Sequence, residues 1–233
     1  MITEDLAPTG VLRASINLGN PVLAQGAHDA PTGVTVEIAR ELGARLGVPV
    51  ELVSFDAARK SFEAMTSGRA DICFLAIEPK RAEEVAFTAP YVLIEGVYAV
   101  PVDSPITTPD EVDRPGVRVG VNQGSAYDLY LTRTLRHATL VRGENGIAVF
   151  RDQGLDVAAN VRQPMTAYVA EHPDLRLLEP RFMEIRQALG TTKSRSPETV
   201  AFLSAVIEEL KANGFVADAL RRAGQAEDLV APA

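Results

Sequence analysis

ADICFLAI, residues 70–77, is a continuous apolar run. Such runs are typical of strands that are buried on both faces of a parallel sheet. Upstream of it, residues 11–17 (VLRASIN) and 50–55 (VELVSF) also have strand character, and the amphipathic stretch 34–46 and the shorter stretch 59–67 predict helices. Residues 1–80 therefore alternate between β and α, which predicts an α/β layer with right-handed crossovers.

A second α/β series follows a proline-containing loop at residues 103–116, which we interpret as the boundary between two lobes. The elements predicted after this loop are strands at 117–121, 139–142 and 155–161 and helices at 126–135 and 146–153. Nearer the C-terminus, the pattern predicts strands at 176–178 and 185–192 and a helix at 197–213. Ser196 is the expected N-cap of that helix, with proline in its first turn.

Composition narrows the function classes. The chain has 233 residues, and 23 Lys and Arg against 31 Asp and Glu give a net charge of −8. This acidity argues against a broad basic surface, so no nucleic-acid partner is predicted. The single cysteine, Cys73, cannot form an internal disulfide and is expected to be buried in the apolar run. The histidines, His28, His137 and His172, lack ligand spacing, so neither a metal nor another cofactor is predicted.

The sequence leaves the location of the protein open. The apolar stretch 86–102 is interrupted by Pro90, Glu95 and Pro101 and is too broken to span a bilayer. Residues 1–8 (MITEDLAP) have no positive n-region and no apolar h-region, so they do not form a secretory signal peptide as written. A periplasmic or extracellular location would require that a leader has been removed, and a cytoplasmic location stays possible.

Short signatures occur along the chain in a characteristic order. They are GVLR at 10–13, GVTVEIARELG at 33–43, LGVPV at 46–50, SGRAD at 67–71, PKR at 79–81, FTAPY at 87–91, GVNQGS at 120–125, GLD at 154–156 and IEELKANGF at 207–215. In this order and spacing, the chain resembles the family 3 extracellular solute-binding proteins, the receptors of polar amino-acid ABC importers. The resemblance covers nearly the whole chain.

This resemblance implies the two-lobed periplasmic binding protein type II fold, with two doubly wound α/β lobes, a cleft and two hinge crossings. Lobe 1 is then expected to contain residues 1–100 plus 190–233, and lobe 2 residues 101–189. The hinges are expected near residues 100–103 and 189–192. A ligand would bind in the cleft at the carboxyl ends of the strands, and the lobes would close on it by a hinge motion.

The resemblance also implies two contacts to a ligand carboxylate. Arg81 matches the arginine that clamps the α-carboxylate, a role that suits the guanidinium fork. The alternative is a surface arginine paired with Glu83 or Glu84. Residues 123–125, Gln123-Gly124-Ser125, match the second contact, where backbone N–H groups and the Ser125 hydroxyl meet an anion at a helix N-terminus. An ordinary N-cap serine remains an open alternative.

Other positions depart from the amino-acid receptors that the chain resembles. The loop aromatic is replaced by Asn20, and the ring expected at Ala58 has Phe55 as its nearest replacement. Ala76 and Glu78 stand where hydroxyl residues are expected. Val161 stands where the resemblance places the acid that receives the ligand ammonium. Enclosing an ammonium group in a closed site without that acid would cost several kcal/mol of binding free energy. A standard α-amino acid therefore fits only if Glu78 supplies the missing charge.

Asn160 and Arg162 are further candidate ligand contacts. Arg162 could receive a second anionic group, or it could belong to a solvated helix start ahead of Pro164. The leading hypothesis is a monomeric binding protein without catalysis that captures a small organic anion, a carboxylate or an amino-acid-like compound, and presents it to an ABC permease. One alternative is an enzyme of the cyclohexadienyl or arogenate dehydratase type with Glu78 as general acid. Another is a cytosolic ligand sensor.

Overall fold

The structure is a computed structural model that describes residues 1–233. The chain forms two compact units: unit 1 contains residues 1–93 and 186–233, and unit 2 contains residues 94–185. These limits lie a few residues before those predicted for the lobes. The division into ligand-binding lobes with hinges stays a prediction.

In chain order, the first elements are α1 (Ile2–Leu6), β1 (Leu12–Asn17), β2 (Gln25–Ala27), β3 (Ala30–Thr32), α2 (Val34–Leu46), β4 (Val50–Phe55), α3 (Ala58–Thr66), β5 (Ile72–Ala76) and β6 (Val85–Pro101). The remaining elements are β7 (Arg118–Asn122), α4 (Ala126–Thr134), β8 (Thr139–Gly143), α5 (Gly146–Asp152), β9 (Val157–Val161), α6 (Arg162–Glu171), β10 (Leu175–Thr192), α7 (Pro197–Ala212) and α8 (Phe215–Arg222). The predicted α/β class is confirmed.

The sheet of unit 1 has the strand order β4-β1-β5-β10. β1 runs parallel to β4 and to β5, and the part of β10 that lies in this unit runs antiparallel to β5. Every residue of β5 is buried, as expected for a strand that is covered on both faces. Cys73 and Leu75 pack with Met65 and Ala64 of α3 on one face. Because successive side chains of a strand point to opposite faces of the sheet, the Phe74 side chain points to the other face.

Helix α2 begins at a tight contact with the loop before it. Gly33 has φ 114°, and a Cβ atom there would lie 2.5 Å from the carbonyl oxygen of Leu23. Only glycine allows both this conformation and this close approach. The helix ends at Gly47, which is left-handed with φ 69°. Helix α2 is thereby held over β1 and β4 in unit 1.

The sheet of unit 2 has the order β6-β9-β7-β8, in which β7 runs parallel to β8 and β9. β9 runs antiparallel to β6. Helix α5 packs on β7, β8 and β9. Its first residue, Gly146, lies so close to β7 that a Cβ atom would be 2.5 Å from the backbone carbon of Val121. The unit is therefore a smaller α/β layer of the same kind as unit 1.

The C-terminal strands differ from the prediction. Residues 176–178 and 185–192 were expected to form two strands, whereas the structure has one strand, β10, from Leu175 to Thr192. The intervening residues stay extended because their side chains have partners in unit 2: the Phe182 ring stacks on Tyr98 at 4.1 Å, and Arg181 pairs with Glu95 at 2.9 Å. The predicted N-cap is confirmed, since the Ser196 hydroxyl accepts a hydrogen bond from the Thr199 N–H group at 3.2 Å.

None of the helices is both long enough and apolar enough to cross a membrane.

Candidate functional site

The candidate residues of unit 1 lie at one edge of its sheet. β1, β4 and β5 are parallel, so their carboxyl ends meet at the same edge, where Asn17 of β1 is paired in register with Phe55 of β4. We call this edge the carboxyl edge of unit 1. The residues predicted for this edge are Asn20, Phe55, Ala76, Glu78 and Arg81. Such edges are the usual ligand sites of α/β layers.

Arg81 is buried at the carboxyl edge of unit 1. Arg81 is the first residue of a short 3-10 helix, Arg81–Glu83, and is only 3% exposed. One guanidinium nitrogen, Nη1, donates to the carbonyl oxygen of Ala76, the last residue of β5, at 3.2 Å. Because the side chain is buried, the alternative of a solvated surface arginine is wrong. The segment after β5 folds back so that its arginine lies beneath the strand end.

Glu78 lies near Arg81 and is equally buried, at 3% exposed. The carboxylate attracts the guanidinium, but burial has the larger effect and lowers the pKa of Arg81 to about 10. The nearby Cys73 thiol is fully buried, and burial raises the pKa of that thiol to about 12. The edge therefore holds a buried arginine beside a buried carboxylate, and burial is the larger of the two influences on the pKa of the arginine.

Asn20 and Phe55 already have contacts within unit 1. Asn20 is 7% exposed, and its side-chain oxygen accepts a hydrogen bond from the Val22 N–H group at 3.3 Å, which shapes the loop after β1. The Arg69 guanidinium lies over the Phe55 ring, with its central carbon 5.4 Å from the ring centroid. The structure thus places Asn20 as a loop organiser and Phe55 as a ring stacked against an arginine.

The candidate residues of unit 2 also lie at a shared strand edge. β7 and β9 are parallel, with Gly120 paired to Ala158, so residues 122–125 and 160–162 lie at neighbouring strand ends. The buried Tyr127 hydroxyl donates to the side-chain oxygen of Asn160 at 3.3 Å. Burial raises the pKa of Tyr127 above its usual range. Sequence reasoning missed Tyr127, because the contact joins two segments that no short motif links.

Hydrogen bonds to neighbouring segments of unit 2 hold loop 123–125 in place. Gln123 is exposed, and its N–H group donates to the Gly143 carbonyl at 2.9 Å. The Ser125 hydroxyl caps α4 by accepting from the Asp128 N–H group at 3.1 Å. The Asp128 carboxylate in turn accepts from the Gly124 N–H group at 2.8 Å. Ser125 therefore acts as the N-cap that was left open as an alternative, and Asp128 is a residue that the sequence reasoning missed.

Arg162 begins α6 and is held by two carboxylates of unit 2. Its Nε atom donates to Glu95, and its Nη2 atom donates to Glu179 at 2.9 Å. These hydrogen bonds, first of all those to Glu179, raise the pKa of the guanidinium above its usual range. The predicted contact of Arg162 with a second anionic ligand group stays a prediction, but a ligand would have to compete with both carboxylates.

Val161 is the N-cap of α6 and is 7% exposed. Its N–H group donates to the side-chain oxygen of Asn160 at 2.8 Å. That oxygen therefore accepts from both Val161 and Tyr127. The end of β9 therefore carries the apolar side chain of Val161 and the Asn160 carboxamide, whose oxygen already accepts two hydrogen bonds.

Comparison with known proteins gives a consistent result. The model of the bacterial extracellular solute-binding proteins, family 3, matches residues 15–225. Among solved structures, the solute receptor for L-cysteine of Neisseria gonorrhoeae has a TM-score of 0.79 at 22% identity, covering 95% of this chain and 92% of that chain. A mutant of ArgBP from T. maritima has a TM-score of 0.78 at 20% identity, covering 95% and 98% of the two chains.

A third structure is the ancestral amino-acid-binding protein AncCDT-1, described as a precursor of cyclohexadienyl dehydratase. Its TM-score is 0.75 at 21% identity, with 94% of this chain and 97% of that chain covered. At these identities the similarity shows the fold alone. No curated protein sequence matches the chain.

Proposed function

The chain belongs to the bacterial extracellular solute-binding proteins of family 3, and we propose that it captures a small organic carboxylate and delivers it to an ABC-type importer without catalysing a reaction. The family description supports a location outside the cytoplasmic membrane and an importer permease as partner. Similar solved structures include the substrate-binding protein of an amino-acid ABC transporter and a binding protein with bound L-arginine, which supports a ligand of that size and polarity.

The observation that carries this proposal is the buried Arg81 at the carboxyl edge of unit 1. Burying a cation is costly unless it is paired. The lowered pKa of Arg81 shows that its burial outweighs the attraction of Glu78. A ligand carboxylate that accepts from the guanidinium would supply further compensation, and charge-assisted hydrogen bonds of this kind are about twice as strong as neutral ones.

The ligand's remaining polar groups are less constrained. An α-amino acid brings an ammonium group as well as a carboxylate, and Val161 offers that group no charge. Glu78 is the buried carboxylate next to Arg81 and would have to receive the ammonium. We therefore propose a carboxylate ligand. An α-amino acid would fit when its carboxylate binds Arg81 and its ammonium group binds the neighbouring Glu78.

A binding screen tests the proposal. Small carboxylates and amino acids should be added to the whole protein and thermal unfolding recorded, with hits confirmed by calorimetry. At a ligand concentration of 100 times Kd, we expect the unfolding temperature to rise by about 5–10 °C. Failure of every carboxylate to bind would contradict the proposal. Prephenate and arogenate should bind, if at all, without turnover; turnover that disappears in Glu78→Gln would instead favour the dehydratase alternative.

The affinity should also depend on pH. The protonated guanidinium binds the carboxylate, and burial sets the pKa of Arg81 in the free protein to about 10. We expect a constant affinity between pH 7 and 9 and a fall of about tenfold per pH unit above pH 10, because proton loss then precedes binding. Calorimetry with a carboxylate that lacks an amino group measures this without titration of the ligand. An affinity that stays flat to pH 11 in folded protein would mean that burial does not lower the pKa of Arg81 in the free protein.

A further inference from the structure

Unit 2 contains a pocket with aromatic walls and an acidic border, and we propose that it binds a small organic cation, an ammonium group carried on a ring or a short apolar chain. The pocket has a volume of about 420 Å³, within the range of about 300–1,000 Å³ that is usual for small-molecule sites. None of its lining residues is among the candidate ligand contacts described above. The proposal therefore goes beyond the capture of a carboxylate and does not depend on it.

Three aromatic rings form the wall of this pocket. Tyr98 of β6 and Phe182 of β10 are stacked, with ring centroids 4.1 Å apart and planes inclined by 20°. The ring of Tyr130 in α4 lies 6.2 Å from that of Phe182. Ring faces are negative and attract cations, and the Arg133 guanidinium lies over the Tyr130 ring, with its central carbon 5.1 Å from the centroid. The wall therefore offers an apolar surface on which a cation is favoured over an anion.

The Tyr98 hydroxyl opens into the pocket without a partner. The residue is 2% exposed, and its hydroxyl makes no hydrogen bond within the protein. Unlike the unpartnered Tyr91 hydroxyl of unit 1, it is not enclosed by protein atoms. Buried phenol groups usually have a hydrogen-bond partner. The Tyr98 hydroxyl can therefore serve a ligand, and its oxygen can accept a hydrogen bond from an ammonium group.

Two carboxylates, Asp110 and Asp113, border the pocket. Asp110 is exposed. Asp113 accepts hydrogen bonds from the backbone N–H groups of residues 136–138, and these bonds, first of all the one from Ala138, lower the pKa of its carboxyl. Neither carboxylate forms an ion pair with a lysine or an arginine. The border of the pocket is therefore negative.

The cation that borders the pocket, Arg181, is compensated within unit 2. Its Nη1 atom donates to Glu95 at 2.9 Å, and its Nη2 atom donates to Glu184 at 3.3 Å. An anionic ligand would have to compete with these two carboxylates and would be repelled by Asp110 and Asp113. A cationic ligand is attracted by both aspartates. The pocket therefore selects its ligand by positive charge as well as by apolar contact.

Calorimetry at pH 7 with phenethylammonium, a cation without a carboxylate, tests the proposal on the whole protein. We expect a Kd of about 1 mM or below. Its uncharged analogue 2-phenylethanol has the same ring and chain and should bind about tenfold more weakly. In NMR spectra of the ¹⁵N-labelled protein, the amide shifts caused by the cation should be largest at residues 108–113 and 180–182.

Two variants remove the polar contributions one at a time. Tyr98→Phe keeps the stacked ring without its hydroxyl, and Asp110→Asn removes a charge from the border. We expect each to weaken binding of the cation about fivefold and binding of 2-phenylethanol less than about twofold. The matched controls are Tyr168→Phe, which removes a hydroxyl that accepts from Arg151 at 3.1 Å outside the pocket, and Asp152→Asn, at an exposed position of α5. Both controls should bind the cation as the wild type does.

The outcomes separate a built site from general attraction to an acidic protein. Absence of phenethylammonium binding overturns the proposal, and so does equal affinity for 2-phenylethanol. Unchanged affinity for the cation in either folded variant, Tyr98→Phe or Asp110→Asn, overturns it as well. If Asp152→Asn weakens the cation as much as Asp110→Asn does, the net charge of −8 attracts it and the proposal fails. The proposed function is judged separately, by the carboxylate screen and by Arg81→Ala.

Discussion

Replacing Arg81 by alanine is expected to lower the affinity for a small carboxylate about 30-fold or more, since removing one partner of a buried charge pair costs roughly 2–5 kcal/mol. Arg81 is 3% exposed and donates to the Ala76 carbonyl, so the guanidinium is already oriented before the ligand arrives. The loss should appear mainly in the dissociation rate. Calorimetry and stopped-flow measurements with the carboxylate found in the screen would record both quantities.

Two further variants distinguish binding from folding. Arg81→Lys keeps the charge but not the planar fork, so we expect an intermediate loss of about tenfold. Arg40→Ala, at an exposed position of α2, is the matched control and should bind as the wild type does. Thermal unfolding of each variant without ligand reports the cost of leaving Glu78 buried without its arginine. Unchanged affinity in a folded Arg81→Ala protein would remove the basis of the proposed function.

Much of unit 1 could be predicted from sequence because its signals are local. The apolar run of β5 and the helix stop at Gly47 each depend on residues within a few positions of one another. Asn20, Phe55 and Arg81 were assigned to the ligand site through the family resemblance, and the parallel strands of the structure bring them to one edge. What the sequence could not give is the burial of Arg81, which depends on how the segment after β5 turns back.

The candidate site of unit 2 was harder to predict, because its important contacts are distant in sequence. Arg162 is bound by Glu95, which is 67 residues away, and by Glu179, which is 17 residues away. Asp128 follows the N-cap serine at a common capping distance, but its partner Arg142 comes from the next strand. A charged residue in a sequence shows that it needs a partner and does not show which one. For this reason Arg162 was predicted as a ligand contact although two carboxylates hold it.

The same reasoning applies to Asp71, which lies inside the run ADICFLAI. Its side chain is completely buried, at 0% exposed, and accepts hydrogen bonds from Nε and Nη2 of Arg13 at 3.0 and 2.8 Å. It also accepts from the Arg13 backbone N–H group at 2.9 Å and from Nη2 of Arg195 at 3.1 Å. One carboxylate thus joins β1, the start of β5 and the segment after β10 within unit 1.

Asp71→Ala is therefore expected to lower the free energy of unfolding by about 3–5 kcal/mol, because it removes the buried carboxylate that the partly buried guanidinium groups of Arg13 and Arg195 share. Asp71→Asn, which keeps the size and one acceptor, should cost less. Urea unfolding followed by circular dichroism measures the loss, and hydrogen exchange of β1 and β5 amides assigns it to unit 1. Asp218→Ala, which breaks an exposed pair with Arg221, should cost less than about 1 kcal/mol. A loss that small in Asp71→Ala would mean that apolar burial alone holds the run that decides the fold, and that its one charge is dispensable.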